Sequence, residues 1–110
     1  ELLLMQARMH GEGTSRTACL ETLERVGLSE RASDMVRTFS SGLRQRTIVA
    51  LAVHRSPALL LLDEPTITLD EVGRQVVTQE IHHQRTRGGL TVLATNDPRE
   101  RHLCDTLLTL

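Results

Sequence analysis

The stretch that most constrains the fold of this chain is the run of four leucines at residues 59–62, which leads directly into Asp63 and Glu64. An unbroken aliphatic run of this length is typical of a strand that is buried on both faces of a sheet. Open α/β sheets bind their ligands at the carboxyl ends of their strands. The run therefore predicts a buried parallel strand that carries two acids at a ligand-binding edge.

Helical and strand-like segments alternate along the chain, which predicts an α/β fold with a parallel sheet. We expect strands at residues 58–62, 90–95 and 106–110. Polar residues 29–38 are expected to form a loop with a short turn of helix. The predicted helices cover residues 2–9, a segment capped by Ser15 and ended by Gly27, and residues 43–54, 71–87 and 98–104.

Composition excludes several classes of protein. The net charge of -1 leaves no basic stripe for a nucleic acid backbone, so we expect no nucleic acid partner. No run approaches the roughly 18 apolar residues of a membrane span. All 13 basic residues are arginine, so the chain lacks the lysine of a GxxxxGK[ST] phosphate-binding loop. Because it also begins with Glu1, we expect it to be cut from a longer polypeptide.

Asp63 and Glu64 are candidates for metal-dependent chemistry at the strand end. A carboxylate can hold Mg²⁺, usually through water, because Mg²⁺ keeps much of its hydration shell. A glutamate at the next position can orient and deprotonate an attacking water molecule. The alternative interpretation is an ordinary solvated pair of acids, and this stretch alone does not decide between the two.

A second candidate site lies at the predicted start of the helix that precedes the leucine run. Ser40, Ser41 and Gly42 are small residues that leave backbone N–H groups open, where the helix dipole favours anions. Ser40 adds a hydroxyl group, and Gly42 permits close approach. The alternative interpretation is a plain helix N-cap without a ligand.

Four segments, in this order and spacing, resemble the C-terminal part of an ABC transporter ATP-binding domain. Residues 39–43 (Phe-Ser-Ser-Gly-Leu) are similar to the signature motif, and residues 59–65 resemble the Walker B strand with its catalytic glutamate. Residues 66–70, which end in Leu-Asp, resemble the D-loop. Residues 94–97 (Ala-Thr-Asn-Asp) lie where the switch segment of this family falls.

This resemblance covers nearly the whole chain and implies a fold and a division into domains. The fold would be an α/β parallel sheet of the P-loop NTPase type, lacking the Walker A portion, with a small helical subdomain. Residues 1–38 would be part of the helical subdomain. Residues 39–110 would be the C-terminal part of the ATPase core.

The resemblance also implies ATP and Mg²⁺ as cofactors and a role for each acid. Asp63 would help to hold Mg²⁺, and Glu64 would be the general base. Asp70 would link the two nucleotide sites, because this family sandwiches ATP between two domains. The small residues of the signature would contact the γ-phosphate of ATP on the partner domain: Ser40, Ser41 and Gly42.

Three positions depart from the family pattern. Ser41 replaces a glycine, Leu43 replaces a glutamine, and Asn96 replaces the usual catalytic histidine. An amide can hydrogen-bond a phosphate but cannot carry a proton as imidazole does, which predicts slow hydrolysis or reliance on Glu64 alone. Residues 94–97 also resemble ATPases similar to the cytochrome c-type heme exporter subunit, which implies heme export or other efflux, and cytochrome c biogenesis.

The function implied is that of an ATP-binding subunit at the inner face of the cell membrane, peripheral and cytoplasmic. It would pair with a second ATP-binding domain and drive a transmembrane permease. Three alternatives remain open: a soluble ABC-type ATPase acting on DNA or ribosomes, a non-hydrolysing binding module, and a truncated reading frame. The last would be inactive by itself because Walker A is absent. The compact helical region before residue 39 favours a transporter.

Overall fold

The computed structural model describes residues 16–32, 34 and 39–110. The predicted helix at residues 2–9 and the Ser15 cap lie outside them. No helix in the described part is long and apolar enough to cross a bilayer. The described elements are helices α1 (Arg16–Arg25), α2 (Ser41–Val53) and α3 (Glu71–Thr86), strands β1 (Leu59–Asp63) and β2 (Leu90–Ala94), and the 3₁₀ helices Ser29–Arg31 and Pro98–Leu103.

Strands β1 and β2 pair in parallel, as the alternation of helices and strands predicts. The register runs from Leu59 opposite Leu90 to Asp63 opposite Ala94. Helix α3 joins the two strands, since a parallel pair requires a long crossover connection that a helix usually provides. The carboxyl ends of both strands therefore lie side by side.

The hydrophobic core lies between one face of this strand pair and the helices. Leu60 and Leu62 point into it from β1, because alternate side chains of a strand face opposite sides. Helices α2 and α3 close the core from the other side. The buried core residues are Val26, Leu28, Val49, Ala50, Val53, Leu60, Leu62, Val76, Val77 and Ile81.

The prediction that the leucine strand is buried on both faces is wrong for the described part of the chain. Leu59 and Leu61 are exposed, with Leu61 at 66%. Leu90 and Val92 of β2 are exposed as well. Helices cover only one side of the strand pair, so the run of leucines divides into an inner pair and an outer pair.

The third predicted strand, residues 106–110, does not form. The sheet of the described chain consists of β1 and β2 only, and the segment after the last 3₁₀ helix pairs with neither. Its leucines are exposed: Leu107, Leu108 and Leu110. Aliphatic composition alone does not make a strand, because the backbone needs a ladder partner for its hydrogen bonds.

Helix α1 is attached to both larger helices by polar contacts. The hydroxyl of buried Thr22 lies 2.7 Å from Nδ1 of His54, a hydrogen bond to the end of α2. The guanidinium of Arg25 donates two hydrogen bonds to the buried carboxylate of Glu80 on α3, at 2.8 and 3.1 Å. This paired geometry satisfies a charge that would be costly to bury alone.

Gly27 ends α1, as the sequence predicts. Its φ of 75° lies in the left-handed region that glycine adopts without a steric cost. The N–H of Leu28 then donates back to the carbonyl of Leu23 at 2.7 Å, and the Leu28 side chain is buried. This arrangement is a glycine C-cap with its usual hydrophobic contact.

Gln84 ties the last turn of α3 to the starts of both strands. Its buried amide donates to the carbonyl oxygens of Pro57, at 2.7 Å, and Leu90, at 3.3 Å. Buried backbone carbonyls need such partners. The amide therefore fixes the end of the sheet that lies opposite the two acids.

The two faces of β1 predict unequal responses to truncation. Leu60→Ala should lower the free energy of unfolding by about 3 kcal/mol, because it leaves a cavity in the core. Leu61→Ala, one residue away on the exposed face, should change it by less than about 0.5 kcal/mol. Urea unfolding of both variants measures the difference. Equal losses would contradict the one-sided burial of the strand.

Candidate functional site

The predicted strand-end acids lie at the carboxyl edge of the parallel strand pair. Asp63 is the last residue of β1 and stands opposite Ala94, the last residue of β2. Asp63 is exposed and Glu64 is half-buried. The fold therefore brings the chain after each strand to the same edge, as expected for a ligand-binding edge of an α/β sheet.

Glu64 adopts a backbone conformation that is unusual for a glutamate. Its φ is 47°, in the left-handed region, while its N–H still donates to the carbonyl of Ala94 at 2.8 Å. Non-glycine residues pay a steric cost in this region and tend to occupy it at functional sites. The ladder thus continues through Glu64 while the chain turns sharply away.

The carboxylate of Glu64 is held by a main-chain donor. Its Oε1 accepts a hydrogen bond from the backbone N–H of Asn96 at 2.9 Å. The structure thus brings together the two residues predicted to be catalytic. The contact uses the backbone of Asn96, so it does not depend on the replacement of histidine by asparagine. The catalytic role of Asn96 itself stays a prediction.

The residues present fit a magnesium ion of the kind that nucleotides carry. Within residues 16–32, 34 and 39–110, no three His, Cys, Asp or Glu side chains converge into a closed metal cluster. Mg²⁺ bound with a nucleotide does not need one, since it keeps several waters and uses one or two carboxylates with the phosphates. The exposed carboxylate of Asp63 is a suitable single ligand.

The first turn of α2 carries the predicted phosphate-contacting residues. Ser40 is the N-cap, and its Oγ accepts a hydrogen bond from the N–H of Leu43 at 3.2 Å. Ser41 is exposed and Gly42 half-buried in the turn that follows. Helix N-termini of this form attract anions because their N–H groups and dipole point outward. Phosphate binding by these three residues remains a prediction.

This helix start lies against the segment that follows Glu64. The side-chain amide of Gln45 donates to the carbonyl of Pro65 at 3.0 Å. A Cβ on Gly42 would lie 3.3 Å from the carbonyl oxygen of Thr68, so a larger residue would press on that segment. The predicted signature and D-loop segments are therefore neighbours within one chain.

Asp70 joins α2 to α3. Its Oδ1 accepts hydrogen bonds from the N–H of Gly73, at 2.8 Å, and from Nη2 of Arg46, at 3.3 Å. The Gly73 bond, with a smaller contribution from Arg46, lowers the pKa of Asp70. Asp70 is therefore the N-cap of α3. Its side chain is otherwise exposed, and its predicted role between two sites is untested.

Asp97 organises the chain immediately after Asn96. Its carboxylate accepts hydrogen bonds from the backbone and guanidinium of Arg99 and, at 2.8 Å, from Nη2 of Arg74. The Arg99 guanidinium, followed by that of Arg74, holds the pKa of Asp97 well below its usual range. Asp97 thus caps the 3₁₀ helix Pro98–Leu103 and stays ionised at neutral pH.

A buried polar pair supports the same 3₁₀ helix from beneath. The hydroxyl of Thr66 donates to Oε1 of Glu100, and both residues are buried. Thr66 lies two residues after Glu64, and Glu100 lies four residues after Asn96. The pair therefore connects the two loops that carry the predicted catalytic residues.

Comparison with known proteins identifies the family of this chain. The sequence profile of the ABC transporter family matches residues 3–67. This chain belongs to the ABC transporter family.

Several ATP-binding proteins of ABC transporters are similar in sequence. Linearmycin resistance ATP-binding protein LnrL of Bacillus subtilis is 39% identical over 92% of the chain and 32% of its own length. Phosphonates import ATP-binding protein PhnC of Trichormus variabilis is 40% identical, over 72% of the chain and 32% of its own length. Aliphatic sulfonates import ATP-binding protein SsuB 3 of Pseudomonas savastanoi pv. phaseolicola is 43% identical, over 80% of the chain and 33% of its own length. The chain therefore spans about a third of these relatives.

Solved structures of ABC transporter subunits share the fold. An ATP-binding subunit of an ABC transporter superposes with a TM-score of 0.77 at 22% identity, over 94% of this chain and 44% of that one. An ATP-binding cassette of an ABC transporter in its ADP conformation gives a TM-score of 0.64 at 14% identity, over 84% of this chain and 38% of that one. These likenesses confirm the predicted α/β fold of the P-loop NTPase type.

Sequence reasoning missed Arg74 and Glu100, which the fold places beside residues 94–97. Arg74 lies one helical turn after Asp70 at the start of α3, and its guanidinium donates to Asp97. The four-residue spacing from Asp70 was a sequence signal for Arg74, but the sequence does not reveal its partner. Nothing in the sequence around Glu100 indicates that it is buried. Glutamate is rarely buried without a partner, and the partner of Glu100, Thr66, is distant in the chain.

Because the backbone of Glu64 is left-handed, we expect the glycine variant at this position to be more stable than the alanine variant, the reverse of the usual order in a helix. Glu64→Gly should be more stable than Glu64→Ala by about 1 kcal/mol, because glycine avoids the steric cost at positive φ. At the control position, Glu71 in the first turn of α3, alanine should be the more stable of the two. Urea unfolding of the four variants measures both orders. A preference for alanine at both positions would contradict the strained turn.

The lowered pKa of Asp97 predicts a pH-dependent contribution to stability. The unfolded pKa is about 3.9 and the folded pKa lies below it, so the contribution is fully present above about pH 4 and is lost as the pH falls further. Asp97→Asn should therefore lower the Tm at pH 7, and the difference from the wild type should shrink towards pH 3. Thermal unfolding across this range measures it. A constant difference would contradict the assignment.

Proposed function

We propose that this chain is part of an ATP-binding subunit that hydrolyses ATP to drive transport through a membrane-spanning permease. The observation that carries the proposal is the orientation of Glu64. Its carboxylate sits at the carboxyl edge of a parallel strand pair, beside Asp63, and is fixed by the N–H of Asn96. A fixed carboxylate at this place suits a residue that must orient an attacking water molecule.

The proposed chemistry divides the work between the two acids. Asp63 would hold the Mg²⁺ ion that accompanies ATP, and the ion would neutralise charge on the phosphates. Glu64 would accept a hydrogen bond from the attacking water and take its proton. Asn96 would add an amide that can hydrogen-bond the γ-phosphate. Positioning and electrostatics would supply most of the rate, as is usual for phosphoryl transfer.

The signature residues act, in this proposal, on the nucleotide of a second ATP-binding domain. Ser40, Ser41 and Gly42 present an open helix N-terminus, which suits an anionic ligand. Asp70 would transmit the state of one site to the other, because it contacts α2 through Arg46 and caps α3. The second domain could be another copy of the polypeptide or a different subunit.

The remaining assignments follow from this role. Residues 1–38 would belong to the helical subdomain and residues 39–110 to the ATPase core. The subunit would be peripheral on the cytoplasmic face of the membrane, bound to its permease. Export, including heme export and a role in cytochrome c biogenesis, is a prediction from residues 94–97. The names of the relatives mention both import and resistance, so they do not select a direction.

A subunit that binds ATP without hydrolysing it is the second candidate. The observation that favours it is Asn96, whose amide cannot exchange a proton as the usual histidine can. The hydrogen bond from its backbone to Glu64 favours hydrolysis instead, since it orients the Glu64 carboxylate through a main-chain N–H and not through the side chain at position 96. ATP turnover by the wild-type protein separates the two candidates.

The general-base role predicts a selective loss of turnover. In the polypeptide that contains these residues, Glu64→Gln should keep ATP binding and lower turnover at least about 100-fold, because the amide cannot accept the proton. Glu71→Gln, which changes an exposed glutamate in the first turn of α3, is the matched control and should keep both ATP binding and turnover. Phosphate release and nucleotide binding measure the two quantities. Wild-type turnover in Glu64→Gln would refute the assignment.

A further inference from the structure

The orientation of the Glu64 carboxylate depends on the position of a backbone group. Its donor is the main-chain N–H of Asn96, at 2.9 Å. A main-chain donor points where the local backbone points, whatever side chain the residue carries. The position of the turn at residues 95–97 therefore decides whether the carboxylate is held.

Local hydrogen bonds shape this turn but do not place it. The N–H of Asp97 donates to Oγ1 of Thr95 at 2.9 Å, and Asp97 in turn accepts from the N–H of Arg99 at 3.0 Å. Both bonds join residues two apart in the chain. They would persist if the whole turn moved away from β1, so they cannot by themselves keep the N–H of Asn96 on Glu64.

Arg74 provides a long-range contact that places the turn. Its Nη2 donates to Oδ2 of Asp97 at 2.8 Å, from a residue 23 positions earlier in the chain. The side chains of Arg74 and Asp97 are only 19% and 18% exposed. The contact is thus partly shielded from water, which strengthens it relative to a fully exposed pair.

The support behind Arg74 is a capped helix that packs into the core. Arg74 lies in the first turn of α3, which Asp70 caps and which is anchored in the core by buried Val76 and Val77. Arg99 binds the same carboxylate, but its side chain is 71% exposed and belongs to the segment that must be held. Arg74 is therefore the partner of Asp97 that comes from a fixed element.

We propose that Arg74 is a positioning residue for Glu64: through Asp97 it holds the switch turn so that the N–H of Asn96 stays on the Glu64 carboxylate. The inference rests on the proposed function, in which Glu64 orients the attacking water. Arg74 acts through the turn and does not touch the nucleotide. Its loss should misplace the carboxylate without weakening ATP binding.

Two measurements on the polypeptide that contains these residues test the proposal. Arg74→Ala should lower kcat for ATP hydrolysis about tenfold and change KM less than about twofold, since a small misplacement of a reacting group costs rate rather than binding. Arg74→Lys, which keeps the charge, should recover part of the rate. Amide hydrogen exchange should show faster exchange at Asn96 in Arg74→Ala.

The control is Arg85→Ala on the same helix. Arg85 lies about three helical turns after Arg74 on α3, donates to the backbone carbonyl of Leu103 and pairs with exposed Asp105. The Arg85→Ala substitution should leave kcat and amide hydrogen exchange at Asn96 unchanged. If Arg74→Ala unfolds the protein, Arg74→Lys is measured alone, and its lowered kcat with unchanged KM carries the test.

The outcomes separate this inference from the function on which it rests. If the wild type hydrolyses ATP and Glu64→Gln does not, the proposed function stands. Equal kcat and equal exchange at Asn96 in Arg74→Ala and Arg85→Ala would then overturn the positioning role alone. If the wild type does not hydrolyse ATP, the proposed function falls, and unchanged exchange at Asn96 in Arg74→Ala would reject the arrangement independently.

Discussion

The parallel pairing of β1 with β2 is the constraint on which the rest of this structure depends. Burial of Leu60 and Leu62 against the helices fixes the register, because a slip of one residue would turn both side chains to the outer face. That register sets Asp63 opposite Ala94, and it lets Glu64 extend the ladder by one more bond. The meeting of Glu64 with Asn96 follows from this alignment.

Helix α3 connects the two strands and also supports both ends of them. At its C-terminal end, Gln84 bonds the carbonyls at the starts of the strands. At its N-terminal end, Asp70 receives Arg46 from α2, and Arg74 reaches Asp97 after β2. One helix thus contacts both α2 and the turn after β2, so it resists a displacement of either.

The left-handed backbone of Glu64 is locally strained and is held by hydrogen bonds to the end of β2 and from the turn after it. A left-handed glutamate is locally unfavourable, and it persists because the ladder bond to Ala94 and the bond from Asn96 hold it on both sides. Violations of local preference tend to occur where a site requires them. The strained residue is also the one that the resemblance to a Walker B strand predicts to be the general base.

The sequence by itself determined where most of the described helices and the two paired strands lie, and the order of the segments that resemble motifs. The leucine run, the Gly27 stop and the cap at Ser40 depend on interactions within a few residues, which a local pattern records. Only the tertiary structure decided that β1 is buried on one face, that residues 106–110 form no strand, and that Arg74 meets Asp97 beside Glu64. Those outcomes depend on which distant segments lie against each other, and no periodicity along the chain encodes that.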